Sequence, residues 1–294
     1  MRFLLRKLYI CTSKQITVLA LLIMKNLALF TTICLLLACQ QKAEQHGATE
    51  RGKVIESSVA TPQLYNKTAP KMNTDWINQA YLMGKFQPNT NADFTLVPAA
   101  VTDGAQQYYL RAEALAAFQA MRTEALKSAI TLKIISATRP FDRQKQIWEA
   151  KWNGSTAVGG QNLAKIIADP TQRARKILTY SSMPGTSRHH WGTDVDLNSL
   201  EPAYFKRGQG KQIYDWLNLH AAEFGFCQPY SAGRTNGYNE EQWHWSYMPI
   251  AQLLTQKYPQ LVTNQDISGF QGSQTAVDID MVNQYVLGIN QNCK

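Results

Sequence analysis

Cysteine is scarce in this sequence of 294 residues, and its distribution is uneven. Three of the five cysteines, Cys11, Cys34 and Cys39, lie within the first 39 residues. Only Cys227 and Cys293 remain for the rest of the chain, which excludes the cysteine-rich zinc site of a deaminase. In an oxidising compartment this pair can form one disulfide that fastens the C-terminal tail. Two free buried thiols are the alternative.

Acidic residues are absent from positions 1–38, which contain five basic residues. This segment accounts for much of the formal net charge of +9, because the remaining chain has 25 basic and 21 acidic residues. A net charge of +4 on that remainder does not imply a nucleic-acid partner.

An uninterrupted apolar run long enough to span a membrane is also missing, because Lys25 separates residues 16–23 from residues 27–37. The apolar run after Lys25, which ends in Ala38 and Cys39, is typical of a secretory signal peptide. Residues 36–39 resemble a lipobox, the signal for attaching lipid to the cysteine of a bacterial lipoprotein. The expected modification is therefore a lipid on Cys39, and Gln40 in place of aspartate favours the outer membrane.

These features predict an exported, periplasmic protein that is anchored to a membrane by lipid. Residues 1–39 are the expected leader. Residues 40–74 are polar and poor in large apolar side chains, so they are the expected tether. Ordinary cleavage to a soluble periplasmic protein and a retained N-terminal anchor are the alternatives, and Met24 is an alternative start.

The remaining sequence predicts a domain over residues 75–262 and a C-terminal extension over residues 263–294 that packs on it. Short strands around polar motifs, with separate amphipathic helices, favour an α+β fold. Residues 81–86 are expected to lie over the cleft of the site. The predicted helices cover residues 110–126, 142–152, 211–224 and 249–258, and a predicted strand covers residues 132–135.

Two short segments offer a set of metal ligands. The first contains His189 and Asp196, and in the second Glu241 precedes His244 by three residues. Two histidines and one carboxylate leave the fourth position of a zinc ion to water, as in catalytic zinc sites. A metal there lowers the pKa of bound water toward about 7, and a nearby carboxylate can carry the proton. Other divalent ions also accept these ligands.

The pattern Ser-x-His-x-x-Gly-x-x-x-Asp, followed by Glu-x-Trp-His, resembles the VanY-type D-alanyl-D-alanine carboxypeptidases. These belong to the LAS zinc peptidases (lysostaphin, D-alanyl-D-alanine carboxypeptidase, sonic hedgehog). A third block, residues 134–144, is similar to the family segment Ser-Gly-Tyr-Arg-Ser-x-x-x-Gln. The three blocks stand in the family order, and the resemblance covers about residues 75–262. It implies a LAS/hedgehog-like fold of the α+β class, with a central antiparallel sheet flanked by helices.

The resemblance also implies a role for each matching residue. His189, Asp196 and His244 would bind Zn²⁺. Glu241 would act first as general base and then as general acid. Arg139 would stabilise the oxyanion of the tetrahedral intermediate, where negative charge develops.

Substrate binding is the role implied for Ser187 and Gln144. The sequence departs from the family pattern next to Arg139, where Ala137 and Thr138 replace Gly-Tyr and Pro140 replaces serine. The tyrosine position helps to line the substrate pocket in relatives, so the substrate preference of this chain stays open.

Two residues beside the expected ligands need their own interpretation. Asp194 and Asp196 share one face of a strand, so both could face the metal. Asp196 matches the motif and is the preferred ligand. Asp194 would instead orient a ligand histidine or pair with Arg188. His190 is expected to be no ligand, because it would point away from its neighbour in an extended backbone.

The implied function is the removal of the C-terminal D-alanine from peptidoglycan stem peptides, and the expected bond is the terminal D-Ala–D-Ala of a pentapeptide. One alternative is an L,D-carboxypeptidase that acts on tetrapeptides. Another is a zinc-stabilised module that binds the wall without turnover. Glu241 and Arg139 favour an enzyme, because a binding module needs neither a base nor an oxyanion donor. A monomer is expected.

Overall fold

A central antiparallel sheet organises the computed structural model, which describes residues 74–104 and 106–294. Its four strands follow the order β3-β4-β6-β5, and β1 and β2 form a separate antiparallel pair. This architecture confirms the predicted α+β class. The predicted leader and nearly all of the predicted tether lie outside the described residues. The strands are β1 (Phe94–Leu96), β2 (Tyr109–Arg111), β3 (Ile134–Ser136), β4 (Asp194–Leu197), β5 (Phe226–Cys227) and β6 (His244–Tyr247).

Eight α-helices accompany these strands in the described part of the chain. Helices α2 and α3 lie within two residues of the predicted helices over 110–126 and 142–152. Helix α6 begins three residues before the predicted start at 211. The helices are α1 (Gln79–Leu82), α2 (Ala112–Lys127), α3 (Phe141–Trp152), α4 (Leu163–Ile166), α5 (Pro170–Ile177), α6 (Gly208–His220), α7 (Met248–Leu261) and α8 (Thr275–Ile279).

The helix predicted over residues 249–258 is present, but it is not the last helical element. That helix is α7, and it is followed by α8 and by a π-helical segment, Val282–Val286. Each of these two later elements has five residues. Apolar periodicity needs a window of about 11 residues to identify a helix, so it cannot identify elements as short as these.

The side chains of β4 and β6 alternate between the two faces of the sheet, as strand geometry requires. Val195, Leu197 and Trp245 occupy one face and are buried in a common apolar cluster. Phe118 of α2 and Ile213 of α6 belong to the same cluster, so these helices cover that face. The polar side chains of the two strands share the opposite face: Asp194, Asp196, His244 and Ser246.

A second apolar cluster joins α3, α7 and the C-terminal residues. It contains Trp148 of α3, Leu254 of α7, and Ile279 and Val286 beyond residue 263. Ile279 and Val286 share this cluster with Trp148, so the C-terminal residues stabilise the same core as α3. Burial of one large apolar side chain contributes about 1.5–3 kcal/mol to folding. The strand β5 is tied to this region by a disulfide.

That disulfide joins Cys227 to Cys293 across 66 residues of sequence, with a Cα–Cα distance of 5.8 Å. The sequence leaves open whether these cysteines form one disulfide or two free thiols, and the structure has the disulfide. The bond fixes the last residues of the chain to the central sheet, because Cys227 belongs to β5.

The turn before β4 requires a glycine. Gly192 ends the 3-10 turn Arg188–Trp191 with a φ of 75°, in the left-handed region that favours glycine. A Cβ atom at this position would lie 2.3 Å from Cε1 of Phe94. Both the backbone and the packing therefore exclude a larger residue where His189 is turned toward β4.

Residues 81–86 pack against the 3-10 turn that carries His189. The Tyr81 hydroxyl donates a hydrogen bond to the carbonyl of Trp191 at 2.8 Å, and the Trp191 indole donates to the carbonyl of Leu82 at 3.1 Å. Leu82 and Met83 are fully buried. The segment packs against the 3-10 turn because its apolar side chains are stabilised by burial.

None of the helices between residues 74 and 294 is both long enough and apolar enough to cross a membrane.

Candidate metal centre and active site

The register of the sheet brings three candidate ligands together. Asp196 of β4 lies directly opposite His244 of β6, and the oxygen Oδ1 of Asp196 is 3.1 Å from Nδ1 of His244. His189 enters from the 3-10 turn before β4, with its Nε2 atom 3.3 Å from the same oxygen. One donor atom from each of the three buried residues lies within 4.8 Å of the others. The residues that the motif singles out therefore form one cluster.

Hydrogen bonds at the far side of each imidazole determine which nitrogen faces the cluster. Nδ1 of His189 donates to the carbonyl of Ala137 at 2.9 Å, which leaves Nε2 as a lone-pair donor. Nε2 of His244 donates to Oδ2 of Asp194 at 2.8 Å, which leaves Nδ1 free. With a metal bound, each ring would present its remaining nitrogen to the ion in unprotonated form, as metal-binding histidines do.

The cluster fits a divalent cation. Nε2 of His189 and Oδ1 of Asp196 are buried and have no hydrogen-bond partner among the described residues. Unpartnered buried acceptors are costly, and a metal ion would satisfy both. Burial opposes ionisation of Asp196, but His189 and His244 hold its pKa well below the usual value. Two imidazole nitrogens and one carboxylate oxygen match a catalytic zinc site with an open fourth position.

A buried charge network stands behind His244. Oδ2 of Asp194 accepts from His244 and also from Nε of Arg188 at 3.0 Å. Both side chains of this ion pair have zero exposure. Arg188 also donates to Oγ of Ser246 at 2.7 Å, and Ser246 donates to Oδ1 of Asp194 at 2.8 Å. Asp194 therefore does both things that the sequence left open, since it orients a histidine and pairs with Arg188.

Glu241 lies beside the cluster without joining it. Its Oε2 atom is 3.6 Å from Nδ1 of His244. The backbone around it is fixed, because its N–H donates to the carbonyl of Tyr230 at 2.9 Å and its carbonyl accepts from Gln228 at 2.9 Å. Burial raises the pKa of Glu241 to about 8, against the effect of nearby His244. A bound dication would favour the carboxylate form and lower this pKa.

Arg139 follows β3 and is anchored by its backbone. Its N–H donates to the carbonyl of His189 at 3.0 Å, and its carbonyl accepts from Nδ1 of His190 at 2.6 Å. The guanidinium acts electrostatically on His189 and on Glu241, so it belongs to the same site. Its Nε atom is buried and has no hydrogen-bond partner in the described chain. The side chain is thus available to a ligand.

Ser187 and Gln144 both present unpartnered atoms. Oγ of Ser187 and Oε1 of Gln144 are buried and lack a hydrogen-bond partner within residues 74–104 and 106–294. The other polar atom of Gln144, Nε2, donates to the carbonyl of Ser182 at 2.8 Å. This bond fixes the amide with its oxygen free to accept a hydrogen bond.

Two other histidines stay outside the cluster. His190 is no ligand, but the expected reason is wrong, because its backbone is a 3-10 turn and is not extended. Both ring nitrogens are occupied, since Nδ1 donates to the carbonyl of Arg139 and Nε2 accepts from the N–H of Gly185 at 3.0 Å. Burial lowers its pKa to about 3, so the ring is neutral. His220, at the end of α6, pairs with Glu223.

Sequence reasoning missed two residues near this site, one in contact with His244 and one that interacts electrostatically with Arg139 and Glu241. The Tyr230 ring lies against the His244 ring, with 4.6 Å between the centroids. Lys151 acts electrostatically on Arg139 and Glu241 from α3. No local motif marks Tyr230. The sequence does indicate the position of Lys151, because it lies seven residues after Gln144 and therefore on the same face of the predicted helix.

Comparisons with known proteins agree with this geometry. Residues 107–250 match the model of the VanY family, described as D-alanyl-D-alanine carboxypeptidase. An uncharacterised protein of Haemophilus influenzae is 34% identical over 95 residues, which are 27% of this chain and 71% of that protein. A D-alanyl-D-alanine carboxypeptidase of Enterococcus faecalis is 29% identical over 119 residues. That match covers 40% of this chain and 40% of the enterococcal protein. This chain therefore spans well under half of that relative's length.

Among solved structures, the LdcB LD-carboxypeptidase matches with a TM-score of 0.42 and 22% identity. That match covers 58% of this chain and 74% of the other.

Proposed function

The chain belongs to the VanY family of D-alanyl-D-alanine carboxypeptidases, and on that premise we propose that it is a zinc-dependent carboxypeptidase. Its substrates are peptidoglycan stem peptides, and the bond cleaved is the one before the C-terminal D-alanine. The observation that carries this proposal is the cluster of His189, Asp196 and His244 with a carboxylate beside it.

Zinc at this cluster would supply a Lewis acid and lower the pKa of bound water toward about 7. Glu241 is close enough to the cluster to accept a proton, and its carboxyl group returns that proton to the leaving nitrogen. Arg139 places a fixed cation where the tetrahedral intermediate gains negative charge. Asp194 holds His244 in the tautomer that binds metal, through the bond to Nε2.

Ser187 and Gln144 bind the backbone of the stem peptide in this proposal. Each has one buried polar atom without a partner in the described chain, so a peptide N–H or C=O can satisfy it. Gln144 offers an acceptor, and the hydroxyl of Ser187 can donate or accept.

The decisive experiment uses purified protein from about residue 45, loaded with zinc or treated with chelator, and muropeptides that end in pentapeptide or tetrapeptide. Mass spectrometry of the products should show zinc-dependent loss of one alanine from the pentapeptide. Loss of alanine from the tetrapeptide alone would replace the D,D assignment by an L,D one. A zinc-bound protein that changes neither mass would contradict the carboxypeptidase and support a binding module.

The location and domain plan are part of the same proposal. Residues 1–39 form the leader, residues 40–74 the tether, residues 75–262 the catalytic domain and residues 263–294 the extension. The protein is exported to the periplasm as a monomer with a lipid on Cys39, anchored in the outer membrane. Labelling with a radioactive fatty acid tests the anchor, because the Cys39→Ala variant should lose both the label and its sedimentation with membranes. Label retained by that variant would refute it.

A further inference from the structure

A second cation lies close enough to Arg139 and Glu241 to interact with both electrostatically. Lys151 is on α3, and its ammonium donates a hydrogen bond to Oγ of Ser181, which is buried. No carboxylate of the described residues pairs with Lys151 within 4.0 Å. Its one side-chain partner is therefore a neutral hydroxyl.

The position of Lys151 follows from the geometry of α3. Gln144 and Lys151 are seven residues apart and share one face of the helix. Both contact the same short segment, because Gln144 binds the carbonyl of Ser182 and Lys151 binds Ser181. The helix begins two residues after Arg139. These contacts place the ammonium on the wall of the site that also presents the free oxygen of Gln144.

The charges around Lys151 leave it without adequate compensation. Burial lowers the pKa of Lys151, the nearby cation Arg139 lowers it further, and the carboxylate of Glu241 acts in the opposite direction. With a dication bound at the cluster, Glu241 would be one anion beside that ion and two side-chain cations. A partly desolvated ammonium is costly unless an anion pairs with it. An anionic group on the ligand would supply that partner.

We propose that Lys151 binds the terminal carboxylate of the substrate peptide. The inference rests on the proposed function, in which the substrate ends in a free carboxylate one residue beyond the cleaved bond. Arg139 is then left to stabilise the oxyanion, and Ser181 is a positioning residue that holds the ammonium. The consequence is specificity, because a site with this contact accepts peptides with a free C-terminus and rejects cross-linked or amidated ones.

The test compares two substrates that differ only at the C-terminus: a stem pentapeptide with a free carboxylate and the same peptide as its C-terminal amide. The variants are Lys151→Met, which keeps a long apolar stem, and Lys151→Arg, which keeps the charge. Lys145→Met is the matched control on the same helix. Zinc content and thermal unfolding are measured for every variant.

For the wild type, kcat/KM should be about 10- to 150-fold higher for the acid than for the amide, as expected for a hydrogen bond to a charged group. Lys151→Met should lose this preference through a higher KM for the acid, because the contact exists in ground and transition states alike. Its zinc content should not change. Lys151→Arg should keep part of the preference, and Lys145→Met all of it.

Equal cleavage of acid and amide by the wild type would overturn the proposal without any variant, so a misfolded Lys151→Met protein leaves the test intact. A full acid preference in a folded Lys151→Met protein would also overturn it. If the wild type cleaves neither peptide, calorimetric titration of the zinc-loaded protein separates the two proposals. Tight binding of the acid alone, lost in Lys151→Met, would keep the carboxylate contact while the proposed reaction fails.

Discussion

Replacing Asp194 by asparagine tests how the buried network supports the metal centre. Its two carboxylate oxygens together accept four hydrogen bonds, from Arg188, His244, Thr193 and Ser246. An asparagine keeps the shape but turns one acceptor into an NH₂ donor that faces other donors. It also removes the negative charge that pairs with the fully buried Arg188. The variant should therefore damage both folding and metal binding.

The two effects have different sizes. Breaking a buried ion pair at one partner costs about 3–5 kcal/mol, because the other charge stays buried. We expect the metal-free Asp194→Asn protein to lose about this much free energy of unfolding. Loss of a group that orients a metal ligand lowers metal affinity by about 10- to 100-fold. At saturating zinc this removes a further ~1.4–2.7 kcal/mol of metal-linked stability.

The assay is urea unfolding of the metal-free and zinc-loaded forms, together with a chelator competition for zinc affinity. Asp215→Asn is the matched control, because Asp215 pairs with Lys211 in an ion pair whose side chains are 53% and 56% exposed. A surface pair contributes about 0–1 kcal/mol, so this control should be almost neutral. An Asp194→Asn protein that matches the control in both stability and zinc affinity would refute the role assigned to the network.

Three further predictions concern the site and the disulfide. Glu241→Ala should lower turnover by about 10²- to 10⁴-fold with zinc still bound, whereas His244→Ala should lose both zinc and turnover. Metal analysis measures the bound zinc and product release measures the turnover. Full zinc occupancy in His244→Ala would rule out His244 as a ligand. Arg139→Met should lower kcat by about 10²- to 10³-fold with little change in KM, as measured by steady-state kinetics. An effect confined to KM would instead make Arg139 a substrate-binding residue. Cys293→Ser should lower the free energy of unfolding by about 2–4 kcal/mol, because the bond to Cys227 closes a long loop. Urea unfolding at equal zinc occupancy measures this loss of stability, and an unchanged unfolding midpoint would contradict the prediction.

The sequence could predict the part of the ligand cluster whose geometry is local. Asp194 and Asp196 are two residues apart in one strand, so their side chains lie on the same face, as the register of β4 shows. Gly192 has a backbone and packing reason for its place between His189 and β4. What the sequence could not supply is the pairing of β4 with β6, on which the contact between Asp196 and His244 depends. The family resemblance implies a shared metal ion and a central antiparallel sheet, and the pairing itself is seen in the structure.

The missed features depend on contacts between distant segments. Tyr230 meets His244 through the fold of the loop before β6, and Lys151 meets Ser181 across 30 residues of sequence. The apolar character of residues 81–86 fits either a lid or a core, and in the structure these residues pack against the 3-10 turn Arg188–Trp191. Local pattern cannot separate these cases, because the distinction lies in what the tertiary structure places beside the segment.

The alternation of side chains along β4 and β6 constrains the site more strongly than any single ligand. A shift of one residue in the pairing would move every side chain to the other face. Asp194 and Asp196 would then enter the apolar cluster of Val195 and Trp245, and those apolar residues would replace the ligands. Burying two unpaired carboxylates is so costly that the same pattern specifies both the core and the metal centre.

The C-terminal residues beyond 263 are connected, through α3, to the residues that we propose bind the substrate. The indole N–H of Trp148 donates to the carbonyl of Gln271 at 2.8 Å, and the N–H of Gln271 donates to Glu149 at 3.0 Å. Trp148 lies between Gln144 and Lys151 in sequence, and its ring contacts Phe270 with 6.0 Å between centroids. Groups that bind a substrate must be held to within a fraction of an ångström, which requires a rigid supporting element. Because these contacts and the disulfide fix the tail to both α3 and the sheet, the segment beyond the family match at residue 250 supports the wall that carries Gln144 and Lys151.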